Sequence, residues 1–269
     1  MTESEYNTAI VNTLVRIKQN WPSLRTPTNK PEMNRITPIP PSINIKRVTG
    51  IESLPVEEFL NSGYTDLVSV MNIAEVYGYS GGKVLDWGVG CGRMIRHLPD
   101  YIRLSSVCAD VDPVNVKWMQ DNTSISPCLL NPHGSFPDRW YGSIELLYSH
   151  SVMTHIVVED QIHWLREINR VLCTDGLAII SVHGLYAVAK LAEWAKIPED
   201  MGQWLEEGFK TSSLNNTDII DVVPELYYQD TAHTPKFIQE VWGRYIDVVD
   251  IIPGGFGPFH DAVICKKKD

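Results

Sequence analysis

The sequence predicts an α/β fold with a mostly parallel sheet of seven strands, covered by helices and ending in an antiparallel strand. From residue 83 onward, short apolar segments of strand length alternate with segments whose apolar residues recur at helical spacing. This alternation is typical of parallel sheets covered by helices on both faces. In addition, the first strand leads directly into glycines at three alternate positions, 88, 90 and 92.

Five strands precede the largest break in this pattern. Their predicted bounds are 83–87, 104–110, 125–130, 144–149 and 177–182. Helices are expected from the glycine loop to about His97, over 113–122 with Pro113 in the first turn, and over 157–172. Apolar residues fall on one face of the last helix, which predicts that this face covers the sheet.

A long insertion at about 185–233 interrupts the alternation before the final strands. A connection of this length inside a compact domain is usually a lid or a binding element. It contains several aromatic residues, which either contact a planar ligand or form the core of the insertion itself. They are Tyr186, Trp194, Trp204, Phe209, Tyr227 and Tyr228. The last two strands are separated by the short link PGGFGPFH, so we expect antiparallel neighbours.

The first 80 residues differ from the rest of the chain. A helix is predicted over 3–19, a connector with six prolines over 22–41 and a second helix over 55–77. We therefore divide the chain into an N-terminal helical and proline-rich arm, 1–80, and a core domain, 81–269, that carries the insertion.

Composition narrows the classes of partner and compartment. The 269 residues carry a net charge of −10, which disfavours a nucleic-acid partner. No apolar run is long enough to span a bilayer and no signal peptide is visible at the N-terminus. The five cysteines form neither CxxC pairs nor a disulfide pattern. We expect a cytoplasmic protein with no membrane partner, and a homo-oligomer stays open.

The glycine loop indicates a ligand that approaches the backbone closely. A dinucleotide site would have the spacing GxGxxG, whereas this chain has GxGxG, with Arg93 following the third glycine. Asp86, two positions before the first glycine, would repel a diphosphate but attract an ammonium group. Two enzyme classes therefore compete, one using a nicotinamide dinucleotide and one using a ligand that carries an amine.

Four motifs together resemble class I S-adenosylmethionine-dependent methyltransferases of the bacterial small-molecule type. They are VLDWGVGCGR, VCADVDP, LLYSHSVMTHI and LREINRVLCTDGLAIISVHG, in this order between residues 83 and 184. The resemblance implies a Rossmann-like class I methyltransferase fold and S-adenosylmethionine as cofactor. An NAD(P)-dependent oxidoreductase and a non-catalytic methyltransferase-like binding subunit are the alternatives.

The resemblance also implies roles at the methionine end of the cofactor. Gly88 and Gly90, with Gly92 completing the loop, would lie against its methionine part. Asp86 would sit close to the amine, and Ser149, at the end of the fourth strand, would offer its carbonyl to it.

At the nucleoside end, Asp110 would bind the ribose hydroxyls, since a carboxylate can accept two donors. Val111 would lie against the adenine. Asn131 either reaches the adenine edge or is a turn residue before a proline. Arg93 and Arg47 are candidates for the methionine carboxylate, with surface arginines as the alternative.

Methyl transfer to oxygen or nitrogen requires removal of one proton, often by histidine. His155 is the first candidate for this general base, followed by His183 and His233, and His150 and His260 are also plausible by position. Catechol-type methyltransferases hold magnesium with acidic residues just after the fourth strand, whereas the segment SHSVMTH has none here, so a metal-free mechanism is expected. The acceptor is expected to be a small or medium organic molecule, with a peptide or a carrier-bound intermediate as the alternative.

Overall fold

The computed structural model describes most of the chain from residue 38 onward. The described residues are 38–188, 207–213, 222–224, 227–257 and 259–269. The predicted helix over 3–19, most of the proline-rich connector, and the insertion aromatics Trp194 and Trp204 lie outside these residues.

A seven-stranded sheet forms the centre of the fold. The strands in the described residues are β1 Val84–Trp87, β2 Val107–Asp110, β3 Cys128–Leu129, β4 Ile144–Ser149, β5 Leu172–Val182, β6 Phe209–Ser213, β7 Gln229–His233, β8 Asp247–Phe256 and β9 His260–Lys266. The order in the sheet is β3-β2-β1-β4-β5-β9-β8, and β9 runs in the direction opposite to the other six strands of this sheet. This arrangement confirms the predicted fold class.

Helices cover the sheet on both faces. They are α1 Ser42–Thr49, α2 Val56–Val76, α3 Asp100–Arg103, α4 Pro113–Asn122, α5 Val158–Val171 and α6 Pro235–Val241. The start of α4 follows the expected pattern, because Pro113 opens it and the Asp112 side chain accepts a hydrogen bond from the Val114 N–H. The predicted helices over 55–77, 113–122 and 157–172 are thus present, with ends that differ by at most one residue.

The helix predicted directly after the glycine loop is wrong. The chain makes turns over 88–94, followed by a single 3₁₀ turn, Ile95–His97. Gly88, Gly90 and Gly92 have φ angles of 83°, 52° and 78°. These lie in the left-handed region, so they cannot belong to a right-handed helix.

Two apolar clusters lie on opposite faces of the sheet. One gathers aromatic rings under α5, where the ring centroids of Trp87 and Trp164 are 5.1 Å apart. The other includes Val70 and Ile73 of α2 together with residues of β1, β4 and β9. Helix α2 therefore shares the core of the sheet, although the sequence assigns it to the N-terminal arm.

The insertion contributes a separate two-stranded sheet of β6 and β7. Strand β7 is docked on the main domain by backbone hydrogen bonds from Gln229 N–H to the His155 carbonyl, 2.7 Å, and from His233 N–H to the His183 carbonyl, 2.8 Å. The described part of the insertion thus lies beside two of the predicted catalytic histidines.

Among the described residues, no helix combines the length and the apolar character that crossing a membrane requires. The five cysteines are all free thiols.

Candidate active site

A cavity of about 390 Å³ opens at the carboxyl ends of β1, β2 and β4. The strand order changes direction between β1 and β4, and ligands in such sheets bind at this switch point. Its walls come from α1, the glycine loop, the loop after β4, and the tyrosines that precede β7. The volume falls within the range of small-molecule sites.

The glycine loop forms the floor of this cavity and is closely covered. A Cβ atom at Gly88 would overlap a methyl group of Val152, and one at Gly90 would overlap a methyl group of Val48. Both glycines have positive φ angles and line the cavity. Val152 and Val48 can therefore pack directly on the loop backbone only because these positions lack a side chain.

Asp110 holds the loop through both carboxylate oxygens. Oδ2 accepts a hydrogen bond from the Gly90 N–H at 2.7 Å, and Oδ1 accepts one from the Asp112 N–H at 2.8 Å. Burial nevertheless raises the pKa of Asp110 to about 6. Each oxygen keeps a lone pair for a further donor from the cavity.

Asp86 is the second buried carboxyl of the cavity, with only 3% of its surface exposed. Its Oδ2 accepts a hydrogen bond from the Tyr148 hydroxyl at 2.7 Å. Burial raises the pKa of Asp86 to about 7, although the Tyr148 hydrogen bond acts in the opposite direction. A cationic ligand at this carboxyl would favour its charged form.

Both arginines proposed for the methionine carboxylate line the cavity, and both are paired with aspartates. Arg93 Nη1 lies 2.6 Å from Asp66 Oδ2 on α2. Arg47 donates two hydrogen bonds, of 2.7 and 2.9 Å, to Asp112. A ligand carboxylate would therefore share these guanidinium groups with protein carboxylates.

Comparison with known proteins identifies the domain. A family profile described as a methyltransferase domain matches residues 85–180. Among curated proteins, no sequence match to this chain was found. Residues 85–180 are a class I methyltransferase domain.

Solved structures of similar fold share little sequence with this methyltransferase. PH0226 protein from Pyrococcus horikoshii OT3 has a TM-score of 0.55 and 15% identity, covering 83% of this chain and 96% of its own. An S-adenosylmethionine-dependent methyltransferase from Clostridium acetobutylicum ATCC 824 has a TM-score of 0.52 and 9% identity, and the match covers 84% of this chain and 97% of its own. The glycopeptide N-methyltransferase MtfA, complexed with sinefungin, has a TM-score of 0.50 and 11% identity, and the match covers 76% of this chain and 94% of its own. At these identities the likeness shows the fold.

The cavity walls suit S-adenosylmethionine, the cofactor of this class. Asp86 and Asp110 have carboxylate oxygens that could accept hydrogen bonds from an ammonium group and from ribose hydroxyls, respectively. Gly88 and Gly90 line the same cavity. The cavity therefore contains acceptors that match the donors of the cofactor.

The remaining residues implied for cofactor binding differ in position. Val111 lines the cavity, whereas Gly92 is outside its lining and faces Met119. Ser149 is fully buried, and its hydroxyl has no partner among the described residues. Asn131 is also outside the lining. It is exposed, and its side-chain oxygen accepts a hydrogen bond from the His133 N–H.

Of the three predicted catalytic histidines, only His155 lines the cavity. Its Nδ1 lies 3.2 Å from the Gln229 carbonyl and its Nε2 lies 3.1 Å from the Ser151 hydroxyl. The carbonyl can only accept, so Nδ1 carries the proton and Nε2 is the basic nitrogen. Burial lowers the pKa of His155 to about 4, so its imidazole is neutral at pH 7.

The other two histidines lie outside the cavity lining. His183 Nδ1 lies 3.2 Å from Asp230 Oδ1, and its ring is 6.1 Å from that of His155. His233 is fully buried, and its Nε2 lies 3.0 Å from Gln161 Oε1. The structure thus places His183 behind His155 and His233 in the core.

Sequence reasoning missed several polar residues of the site. Asp66 and Asp112 bind the two cavity arginines, and Tyr148 binds Asp86. The only signal for Asp112 is its place before Pro113, where a helix cap is common. Asp66 lies in a helix without any motif, so its pairing with Arg93 could not be read from the chain.

Proposed function

We propose that this methyltransferase transfers a methyl group to an oxygen or nitrogen of a small or medium organic acceptor, without a metal, using His155 as general base. The observation that carries the proposal is the position of His155 in the cavity wall with Nε2 as its basic nitrogen. When bound, S-adenosylmethionine supplies a methyl group that its sulfonium sulfur has already activated.

The chain's own residues have three tasks in this reaction. Asp86, Asp110 and the glycine loop hold the cofactor, so that little freedom remains at its methyl group. The Ser151 hydroxyl and the Gln229 carbonyl fix the ring orientation of His155. His155 Nε2 then takes the proton from the attacking oxygen or nitrogen.

His155 is a weak base in the empty cavity, because its pKa is lowered to about 4. Proton transfer to it becomes favourable only as the acceptor atom gains positive charge while it attacks the methyl carbon. The loss of the sulfonium charge in the same step also favours a cation beside it. A neutral imidazole is therefore suited to accept the proton late in the methyl-transfer step, after the acceptor atom has gained positive charge.

The nature of the acceptor is supported by the aromatic wall of the cavity. Tyr227, Tyr228 and Phe259 line it, and the Tyr228 ring stacks on His155 with ring centroids 4.5 Å apart. Such surfaces suit a planar or apolar molecule. A carrier-bound or peptide acceptor is the alternative, and a glycopeptide N-methyltransferase is among the proteins of similar fold.

The remaining parts of the proposal concern organisation and location. We keep the division into an arm, 1–80, and a core, 81–269, with an insertion at about 185–233 that caps the site. We also keep the cytoplasm as the expected compartment, which the five free thiols support. A homo-oligomer stays open.

The test compares methyl transfer by wild type and by His155→Ala. Methyl-labelled S-adenosylmethionine is incubated with a panel of small phenols and amines, and the label in each acceptor is counted. We expect His155→Ala to lower turnover by about 100-fold or more while cofactor affinity stays nearly constant. The exposed His133, which pairs with Asp160, gives the matched control His133→Ala with unchanged turnover. Full activity of His155→Ala would refute its role as base.

A further inference from the structure

A second cavity adjoins the first along α2. This groove is lined by side chains of one helix face and by Gly257 of the β8–β9 link. Glu58, Ser62 and Asp66 line both the groove and the main cavity, so the two spaces meet at this face. Gly257 marks the junction, because a Cβ atom there would lie 2.9 Å from Asp66 Oδ1 and 3.3 Å from His150 Nε2.

Two imidazoles in the main cavity have ring nitrogens without hydrogen-bond partners among the described residues. They are His260 Nδ1 and His150 Nε2. His260 is only 8% exposed, and the centroids of the two rings are 4.9 Å apart. His150 Nε2 lies 3.5 Å from Asp66 Oδ2 without a hydrogen bond. Buried polar atoms normally have partners, so these nitrogens indicate a polar ligand that binds beside the two rings.

The charges around this junction are unequal. Five carboxyl groups line the main cavity, against the guanidinium groups of Arg47 and Arg93; they are Glu58, Asp66, Asp86, Asp110 and Asp112. The two arginines are already paired with Asp112 and Asp66. The groove adds Glu57, and none of the described residues that line it is basic. The approach along α2 therefore favours a cation over an anion.

We propose that the acceptor is an organic amine, which enters along the acidic groove of α2 as a cation and places its nitrogen beside Asp66, His150 and His260. This inference rests on the proposed function and names the class of its substrate. The neutral nitrogens of two imidazoles and the carboxylate of Asp66 form a site that suits an ammonium group.

The chemistry at this site needs a neutral imidazole, and burial supplies it by lowering the pKa values of His150 and His260 well below the ordinary value. The ammonium group first gives one proton to water in the groove, because only the neutral nitrogen has the lone pair that attacks. A bond then forms from the nitrogen to the methyl carbon, and the electron pair of the broken carbon–sulfur bond stays on sulfur. The second proton leaves the nitrogen for the neutral imidazole of His155, the general base of the proposed function.

The test uses three probes with the same ring and different charge: benzylamine, benzyl alcohol and benzoate. Their binding to the full-length protein saturated with S-adenosylhomocysteine is measured by saturation-transfer NMR. We expect benzylamine to bind about tenfold or more tightly than benzyl alcohol, and benzoate to bind most weakly. Glu58→Gln should weaken benzylamine about fivefold, whereas Glu75→Gln, at the far end of the same helix and outside both cavities, should not.

A second variant checks the imidazole contacts. His260→Phe keeps a ring of similar shape but removes the partnerless nitrogen, so it should weaken benzylamine more than benzyl alcohol. Equal binding of amine and alcohol, tighter binding of benzoate, no binding of benzylamine, or equal losses for both probes in this variant would each overturn the proposal. Failure of S-adenosylhomocysteine to bind at the outset would instead refute the proposed function.

Discussion

Arg47 and Asp112 form a bidentate ion pair, with N–O distances of 2.7 and 2.9 Å, that fastens α1 to the start of α4. The pair is nearly buried and forms part of the wall of the cofactor cavity. Asn44 and Asn115 add a hydrogen bond of 2.8 Å between the same two helices. These contacts with α4 hold helix α1 over the glycine loop, where Val48 packs against Gly90.

Arg47→Met is expected to weaken S-adenosylhomocysteine binding, because it removes this contact and leaves Asp112 buried without its partner. We expect a loss of about tenfold in affinity, measured by calorimetric titration. Lys46→Met is the matched control on the same helix, since Lys46 pairs with the exposed Glu52. Equal effects of the two substitutions would argue against a role for the ion pair.

Asp110→Ala should weaken the cofactor product by about 1–3 kcal/mol, through loss of charge-assisted hydrogen bonds. The substitution also leaves the N–H groups of Gly90 and Asp112 without this acceptor, so affinity alone cannot separate the two effects. A ribose-deoxygenated S-adenosylhomocysteine provides the separation. It should bind wild type more weakly than the parent compound, but Asp110→Ala should bind both equally. A persistent difference in the variant would remove Asp110 from the ribose site.

Binding of S-adenosylhomocysteine should release a proton near neutral pH. The pKa of Asp86 is about 7 in the empty cavity, and an adjacent ammonium group favours the ionised form. Affinity should therefore fall as the pH drops below about 7, by up to about tenfold per pH unit. Titrations in buffers with different ionisation enthalpies measure the released protons.

Neighbouring groups set the useful window for that experiment. Asp110 titrates near pH 6, so the range from pH 6.5 to 8 reports mainly on Asp86. Asp86→Asn should bind more weakly, with no pH dependence in this range. Proton release that persists in Asp86→Asn would assign it to another group.

His233 should contribute to stability and not to turnover. Burial lowers its pKa to about 3, so it is neutral in the folded protein while the unfolded chain takes up a proton below pH 6.5. Its contribution is present above pH 6.5 and is lost as the pH falls from 6.5 toward 3. As the pH falls through this range, the free energy of unfolding of wild type should decrease by up to about 1.4 kcal/mol per pH unit through this group.

His233→Gln tests this assignment, because glutamine can replace the hydrogen bond to Gln161 without titrating. Thermal unfolding at pH 7.5 and 5.5 should show a smaller acid loss for the variant than for wild type. His155 and His97 remain in both proteins, so the difference isolates His233. A large loss of turnover with an unchanged acid response would support a catalytic role instead.

The sheet could be predicted because its strands carry local signals. The apolar runs at β1, β4 and β5 are bounded by glycine and turn residues, so their existence and order follow from the chain. The helix after the glycine loop was predicted wrongly, because helical spacing over 93–97 does not show that three preceding residues adopt positive φ angles.

The residues of the candidate site also differ in how far the sequence predicts them. Asp86, Asp110 and the glycines follow their strands directly, so sequence position is enough to bring them to one edge of the sheet. Asp66 reaches that edge from helix α2, through packing that no local pattern records. The sequence leaves the role of Asn131 open between the adenine edge and a turn residue, and its hydrogen bond from the His133 N–H is typical of the turn residue.

The most direct test of the central claim is a calorimetric titration of the protein with S-adenosylhomocysteine and, separately, with NAD. The account predicts saturable binding of S-adenosylhomocysteine at one site per chain, a rise in unfolding temperature with its concentration, and no binding of NAD. Binding of NAD with no response to S-adenosylhomocysteine would contradict the account.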